Sequence, residues 1–346
     1  MKASKSLTIV QLIATPGVNW GGMEKHTADL SHELARRGHD VHVLAHRAYQ
    51  QRFSFTVNFH ALPVQWGRRN PLLTLRLKQT LRKLSPDILH AQGNKAASLL
   101  SRVGGQKSIT VGTVHGTKSS HKDFCKLAGV ICVSKGILRA LSHPNTKLIH
   151  NGILPQSSED TTTHPLPRTQ AFALATGRLE PVKQFEHLIC AWAALKPPLP
   201  LYILGSGSEA ARLSALVQEL GADDLVKLPG YESNPSAWLR QASLCVISSE
   251  REGFPYVLVE ALLARCPVLS TPVNGALDLL PAESIARSTS LDALQALLSE
   301  HLSDLESLKA SQQQCFENAS QELTLEAMAS RTEEFYYELL SGGSPA

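Results

Sequence analysis

Residues 245–275 read Cys245-Val-Ile-Ser-Ser-Glu-Arg-Glu252-Gly253-Phe254-Pro255-Tyr-Val-Leu-Val-Glu260-Ala-Leu-Leu-Ala-Arg-Cys-Pro267-Val-Leu-Ser-Thr-Pro-Val-Asn-Gly275. Leu244 to Ile247 is a short apolar run rich in Val and Ile, bounded by two serines, which predicts a buried strand of a parallel sheet. A polar loop ending in Gly253 and Pro255 follows. Val257, Leu258, Ala261, Leu262 and Ala264 then recur at helical spacing, and Pro267 stops the helix before a second strand, Val268 to Ser270. Glu252 therefore sits where a strand hands over to a helix, at the carboxyl edge of a sheet. Glu260 lies within the first two turns of that helix. Open α/β sheets bind ligands at this edge, where helix N-termini offer free N–H groups. Spacing alone leaves two readings open, a ligand-binding pair of acids or a solvated turn with an ordinary helix-face Glu.

The rest of the chain bounds the answer. Its 346 residues are enough for two domains and too many for one ordinary core. A composition of 43% apolar and 18% charged residues is that of a globular protein. No apolar run approaches the roughly 18 residues of a membrane span. The start, Met-Lys-Ala-Ser-Lys-Ser, shows no signal-peptide pattern, so a cytoplasmic location is expected. Six cysteines lack Cys-x-x-Cys or metal-ligand spacing and are expected as free thiols, with Cys132 and Cys245 buried in strands.

The net charge of +4 conceals a division. Residues 1–165 carry 22 Lys and Arg against 8 Asp and Glu, whereas residues 166–346 carry 12 against 22. Two domains of opposite field follow, and the basic one should meet an anionic partner. The expected domains are 1–165, 166–325, and a C-terminal helix with a disordered tail over 326–346. Pro155 to Gln170, rich in Ser, Thr and Pro without periodicity, is the linker.

Glu252-Gly253-Phe254-Pro255 followed by Glu260-Ala261 resembles the Glu-x7-Glu motif of the retaining nucleotide-sugar glycosyltransferases of family 4. The resemblance implies the GT-B architecture, an α/β fold of two Rossmann-like doubly wound domains facing each other across a cleft. It also implies that Glu252 and the backbone amides that follow it hold the donor sugar, with Gly253, Phe254 and Pro255 at the donor, and that Glu260 binds the ribose. Arg265 stands where the family usually has Gly.

Other motifs arrive in the family's order. Leu7 to Ile13 reads as a strand, followed by a Gly-rich loop and a helix over Met23 to Arg37. The loop is not Gly-x-Gly-x-x-Gly, so a dinucleotide site is unsupported. Gly21-Gly22-x-Glu24 resembles instead the family's Gly-Gly-x-Glu loop, which closes over the donor and acceptor ends of the site; Gly22 is assigned to the donor, Gly21, Glu24 and Asn94 to the acceptor side. Asp87-Ile-Leu-His90-Ala-Gln92-Gly93 resembles an Asp-Ile-Val-His-x-His-Gly strand end with Gln92 in the second His position. Thr113-Val-His115-Gly116 resembles Thr-x-His-Gly, which implies that His115 is catalytic beside the donor sugar. In the second half, Gly177-Arg178-Leu179-x3-Lys183 resembles Gly-Arg-Leu-x3-Lys-Gly, whose Arg and Lys clamp the donor diphosphate. A guanidinium offers a fork to phosphate oxygens and an ammonium a point charge. Gln184 replaces the family's Gly. Gly205-Ser-Gly207 matches a Gly-x-Gly turn, and Leu228-Pro-Gly230-Tyr231 is read as a loop near the nucleotide base.

Pro71 to Leu84 predicts a helix with Leu72, Leu73, Leu77, Leu81 and Leu84 among Arg76, Lys78, Arg82 and Lys83. An ordinary packed helix with a basic outer face is favoured over a dedicated membrane helix.

These residues point to an enzyme moving a sugar from a nucleotide diphosphate sugar, UDP favoured over GDP, to an anionic glycan or lipid-linked acceptor. Lipopolysaccharide-core or other envelope polysaccharide synthesis fits the resemblance. Peripheral contact with the anionic inner face of the membrane is expected, and nucleic acid is not. No Asp-x-Asp motif appears, so no metal or other cofactor is expected, and Arg178 and Lys183 would neutralise the leaving diphosphate. Two acids flanking one bond would suggest a retaining hydrolase, but the roles implied for Glu252 and Glu260 are at opposite ends of the donor. A sugar-nucleotide 2-epimerase of the same architecture, or a non-catalytic nucleotide-sugar-binding subunit, are the alternatives.

Overall fold

The computed structural model describes residues 6–17, 20–103, 107–116, 121–154, 162–165 and 171–342. Lys118, most of the linker and the tail beyond Gly342 lie outside the described residues. The chain divides into two compact units, Met1–Leu154 with Thr324–Ala346, and Pro155–Leu323.

In the first unit the apolar runs become β1 (Thr8–Ile13), β2 (Asp40–Ala45), β3 (Asn58–Ala61), β4 (Ile88–Gln92), β5 (Ile109–Val114), β6 (Gly129–Cys132) and β7 (Thr146–Leu148). Among the described residues they form one sheet in the order β3-β2-β1-β4-β5-β6-β7. Every pairing is parallel, with Ile9 opposite Ile88 and Val10 opposite Leu89 at the centre. The order reverses between β1 and β4, which is the switch point where such sheets open a crevice at their carboxyl ends.

The helix Gly22–Arg36 buries Leu30 and Leu34 against this sheet. The helix Pro71–Leu84 starts as its sequence demands, with Asn70 Oδ1 accepting from the amides of Leu72 and Leu73 and Pro71 in the first turn. Leu73, Leu77 and Leu81 are buried, each stabilising by about 1.5–3 kcal/mol, while Leu72 and Leu75 face solvent. That anchors one face firmly and leaves the basic face outward. The terminal helix Leu325–Leu340 joins the same unit, sinking Met328, Phe335 and Tyr336 into its core. Its approach requires Gly152, where a Cβ would fall 2.1 Å from the carbonyl oxygen of Thr324. Arg37 and His39 both meet the Glu333 carboxylate at 3.1 Å and tie the helix down.

The second unit contains β8 (Ala173–Thr176), β9 (Leu201–Leu204), β10 (Val226–Gly230), β11 (Leu244–Ile247) and β12 (Val268–Ser270). Their order, β10-β9-β8-β11-β12, reverses between β8 and β11. The expected loop at Leu228–Tyr231 is instead largely strand. Pro229 lacks an N–H, so the β10–β9 register shifts between Lys227 and Gly230, and pairing resumes where Gly205 donates to the Gly230 carbonyl at 2.7 Å. Trp192, Leu188 and Leu298 lie at the centre of this unit's core.

All six cysteines are free, with Cys132, Cys245 and Cys266 buried. Burial pushes the Cys132 and Cys266 thiols up to about 12, which keeps them unreactive at neutral pH. Among the described residues no helix is long and apolar enough to cross a membrane.

Candidate functional site

At the switch point of the second unit, the loops that follow β8 and β11 are laced together. Lys183 Nζ lies 2.6 Å from Glu252 Oε1, in a pair whose side chains are each 18% exposed. Ser249 Oγ donates to the same oxygen at 2.9 Å. The backbone repeats the connection: Glu250 N donates to Val182 O at 2.9 Å and Ser248 Oγ to Lys183 O at 2.8 Å. Thr271, just beyond β12, donates through Oγ1 to Ser249 O at 2.6 Å. Two motifs 69 residues apart therefore form one structural element.

An ammonium carries three N–H donors and Glu252 takes one, so Lys183 retains donors for a second anion. Arg178 is exposed and has no carboxylate partner among the described residues. Glu180 beside it is engaged elsewhere, accepting from Ser208 Oγ at 2.9 Å. The Lys183 stem crosses Gly177, where a Cβ would sit 3.2 Å from its Cε. Gly205, at φ +148°, brings the next turn so close that a Cβ would fall 1.9 Å from Gly177 O. At position 205 only glycine fits.

Gly253, Phe254 and Pro255 form the entry to the helix Tyr256–Leu263, with Phe254 buried against Gly275. Glu260 is the fifth residue of that helix and half-buried. Tyr231, 63% exposed, follows β10 on the far side of β9 from β8. Sequence reading missed the anchor of its loop. Burial would raise the Glu232 carboxyl, but the amides of Thr163, Asn234 and His164 and the indole of Trp238 hold it down at about 2. Those contacts bind the described part of the linker to the sheet edge, a partnership no local pattern announces.

Gln184 and Arg265, the two departures from family glycines, both adopt left-handed backbone, at φ +48° and +56°. The glycines of the motif thus answer a conformational need that this chain meets with side chains. With its amide turned to donate, Gln184 reaches the carbonyls of Ser248 and Thr289 at 3.1 Å. The Arg265 guanidinium lies 5.5 Å over the Phe316 ring.

At the switch point of the first unit, Glu24 has a local task. Its carboxylate accepts from Gly21 N at 3.0 Å and Thr15 Oγ1 at 2.8 Å, closing the loop and capping the helix that Gly22 begins. Met23 packs on Gly93, which has a φ of +79° and begins the helix Gly93–Val103 that carries Asn94. Gly21, Glu24 and Asn94 thus lie on the two segments that flank the reversal.

His115 follows β5 and is held by a buried chain of polar groups. Its Nε2 donates to Gln92 Oε1 at 2.6 Å, and Gln92 Nε2 donates to Gln11 Oε1 at 2.8 Å. Gln11 Nε2 approaches Tyr336 Oη at 3.4 Å, and that hydroxyl bonds His90 Nδ1 at 2.6 Å. His90 Nε2 ends the chain on Thr113 Oγ1 at 2.7 Å. This order of donors puts the His115 proton on Nε2 and leaves Nδ1 an acceptor. Burial, then the nearby His26 and His90, push the His115 imidazole well below its ordinary value, so it is neutral at pH 7. His26 stacks edge-on at 4.7 Å and bonds Asn151 at 3.1 Å. Gln11 and Tyr336 were not singled out in the sequence; their positions become meaningful only once strands and the terminal helix are brought together.

Among the described residues no group of three or more His, Cys, Asp or Glu is placed to hold a metal ion.

Comparison with known proteins places the chain in a family. The model "Glycosyltransferase Family 4" matches residues 20–156, and "Glycosyl transferases group 1" matches residues 156–322. A Campylobacter jejuni 4-alpha-N-acetylgalactosaminyltransferase acting on a diphospho-undecaprenol-linked sugar is 32% identical over 132 residues, covering 38% of this chain and 36% of the relative. A lipopolysaccharide core biosynthesis glycosyltransferase of Rhizobium meliloti is 28% identical over 210 residues, covering 59% and 61%. The matches thus span about one third and three fifths of those two curated relatives. A glycosyltransferase structure from Rickettsia africae superposes with a TM-score of 0.81 at 17% identity, covering 98% of this chain and 100% of the other. The Anabaena protein HepE in complex with UDP gives 0.77 at 17% identity, covering 96% and 100%. Matched by two adjoining family models from residue 20 to residue 322 and sharing the fold of these structures, the chain belongs to the family 4, group 1 glycosyltransferases, built on the GT-B fold of two Rossmann-like units.

Proposed function

We propose that the chain is a glycosyltransferase that moves a sugar from a nucleotide diphosphate sugar, UDP-linked rather than GDP-linked, to an anionic glycan or lipid-linked acceptor. Configuration at the anomeric carbon is retained, and the product belongs to lipopolysaccharide core or another envelope polysaccharide. The observation that carries this reading is the 2.6 Å contact between Lys183 and Glu252 at the reversal of the second sheet. It joins the motif suited to a diphosphate with the motif suited to a sugar, beside Arg178, which has no carboxylate partner among the described residues. The UDP assignment is supported by HepE, solved with UDP, and the polysaccharide assignment by the Rhizobium relative.

In this mechanism Arg178 and Lys183 bind the diphosphate and neutralise the charge that grows on it as the sugar departs, without a metal. The bond from the anomeric carbon to the phosphate oxygen breaks while the acceptor oxygen bonds the same face. The acceptor proton passes to the departing phosphate. Glu252, the amides of Gly253 and Phe254, and Pro255 beside them hold the sugar, Glu260 the ribose and Tyr231 the base. Neutral His115 offers Nδ1 as an acceptor toward the sugar. Work takes place at the inner face of the cytoplasmic membrane, a reading supported by exposed Trp66, Leu72 and Leu75 among the basic residues of the first unit.

Incubation of the protein with UDP-sugars tests this. Transfer that needs an added acceptor, survives a chelator and gives a retained anomer by NMR is expected. Conversion of donor alone to an epimer, or binding without turnover for any acceptor, would overturn it.

A further inference from the structure

An open cavity of about 720 Å³ in the first unit is lined by Arg68, Arg69, Lys95, Arg102, Lys122 and Lys126. One carboxylate, Asp123, shares the wall and lies 3.5 Å from Lys126. Arg68, Arg69, Arg102 and Lys122 have no carboxylate partner among the described residues. Two of the cationic heads are tethered: Lys95 Nζ donates to Val64 O at 2.7 Å and an Arg102 guanidinium nitrogen to Arg68 O at 2.9 Å. Burial, and after it the neighbouring Arg68, lower the Lys95 pKa.

Asn94 and Lys95 belong to the first turn of the eleven-residue helix Gly93–Val103, which brings the positive end of its dipole to the cavity wall. That turn follows β4 directly, at the reversal of the sheet. One end of the cavity thus lies near the place where a doubly wound unit takes its ligand, and the rest runs along the helix toward Arg102. Its size suits a sugar phosphate or a diphosphate head. Six cations against one carboxylate favour a multiply charged phosphate over a single carboxylate, and guanidinium forks match phosphate oxygens. A nucleic-acid backbone would call for a stripe of charge rather than a concave cluster.

We propose that this cavity is an acceptor subsite for a phosphate-bearing group, either on a soluble glycan or at the head of a lipid carrier. The proposal rests on reading the first unit as the acceptor side.

Inorganic pyrophosphate is the probe, titrated by calorimetry into three proteins: wild type, Arg178→Ala with Lys183→Ala, and Arg68→Glu with Arg102→Glu. The expected result is a pyrophosphate site that persists in the Arg178/Lys183 variant and weakens at least tenfold in the Arg68/Arg102 variant. UDP affinity in the latter should equal wild type, which also certifies its fold; the pair Arg68→Gln with Arg102→Gln replaces it if charge reversal prevents folding. Pyrophosphate binding that disappears with Arg178 and Lys183, or is unchanged by either substitution at Arg68 and Arg102, would overturn the proposal. Failure of wild type to bind UDP would count against the donor reading alone. Sedimentation with phosphatidylcholine vesicles carrying a polyprenyl diphosphate separates the sources. Retention that requires Arg68 and Arg102 supports a lipid carrier, and a pyrophosphate site without retention supports a soluble phosphorylated glycan.

Discussion

His115 Nε2 lies 2.6 Å from the side-chain oxygen of Gln92, at the point where the family pattern has a second histidine. An amide oriented by Gln11 is a fixed acceptor, whereas a histidine would have two tautomers to choose between. Gln92→Leu should therefore lower turnover roughly tenfold, the effect of losing one orienting hydrogen bond of about 1.5 kcal/mol. His115→Ala should lower it ~10²–10³-fold. UDP affinity by calorimetry should stay at the wild-type value in both. Full turnover in His115→Ala would remove His115 from the mechanism.

Buried His26 and His90, with half-buried His115, give the first unit a stability that depends on pH. Burial is the leading cause of lowered values in each: His26 falls to about 4, His90 to about 3 and His115 well below the ordinary range. Unfolded histidines take up protons below about pH 6.5 while the folded ones do not, so stability is whole above 6.5 and declines as pH falls below it. By pH 5.5 His26 and His90 should each remove about 1 kcal/mol. Urea denaturation at pH 7.5 and 5.5 checks this, and His90→Gln should flatten the dependence. An unchanged pH slope in that variant would mean that His90 is not held neutral.

Left-handed backbone at Gln184 makes a comparison of two substitutions informative. Both Gln184→Ala and Gln184→Gly forfeit the bonds to Ser248 and Thr289, but only alanine retains the backbone strain. Gln184→Gly should be the more stable of the two by about 1 kcal/mol. Arg265→Gly should lie within about 1 kcal/mol of wild type, since its side chain contributes one cation–π contact. Equal stability of the two Gln184 variants would contradict the strain argument.

The fold was largely legible because its elements are marked locally. The leucine spacing and Asn70-Pro71 start define Pro71–Leu84, and the Val- and Ile-rich run before Ser248 defines β11. Pairings across long stretches of chain were not legible. Tyr336 meets His90 across 246 residues, and Glu252 meets Lys183 across 69; nothing within one window signals either. The capping task of Glu24 was hidden for a different reason, because a carboxylate three residues after a glycine serves equally as a cap or as a ligand.

The basic face of Pro71–Leu84, with exposed Leu72 and Leu75, should bring the protein reversibly to anionic vesicles. Each Lys or Arg near such a surface contributes about 1 kcal/mol, and salt screens it. Sedimentation with anionic lipid should fall as salt rises from roughly 0.05 to 0.5 M, and with reversal of charge at Arg76, Arg82 and Lys83. No difference between anionic and neutral vesicles at low salt would leave the basic face without a membrane role.

The diphosphate clamp proposed at Arg178 and Lys183 is tested most directly by calorimetric titration of UDP and UMP. Arg178→Ala and Lys183→Ala should each weaken UDP binding by ~1.5–3 kcal/mol, the range for charge-assisted hydrogen bonds, and leave UMP much less affected. UDP bound by both variants as tightly as by wild type would contradict the placement of the donor diphosphate at this switch point.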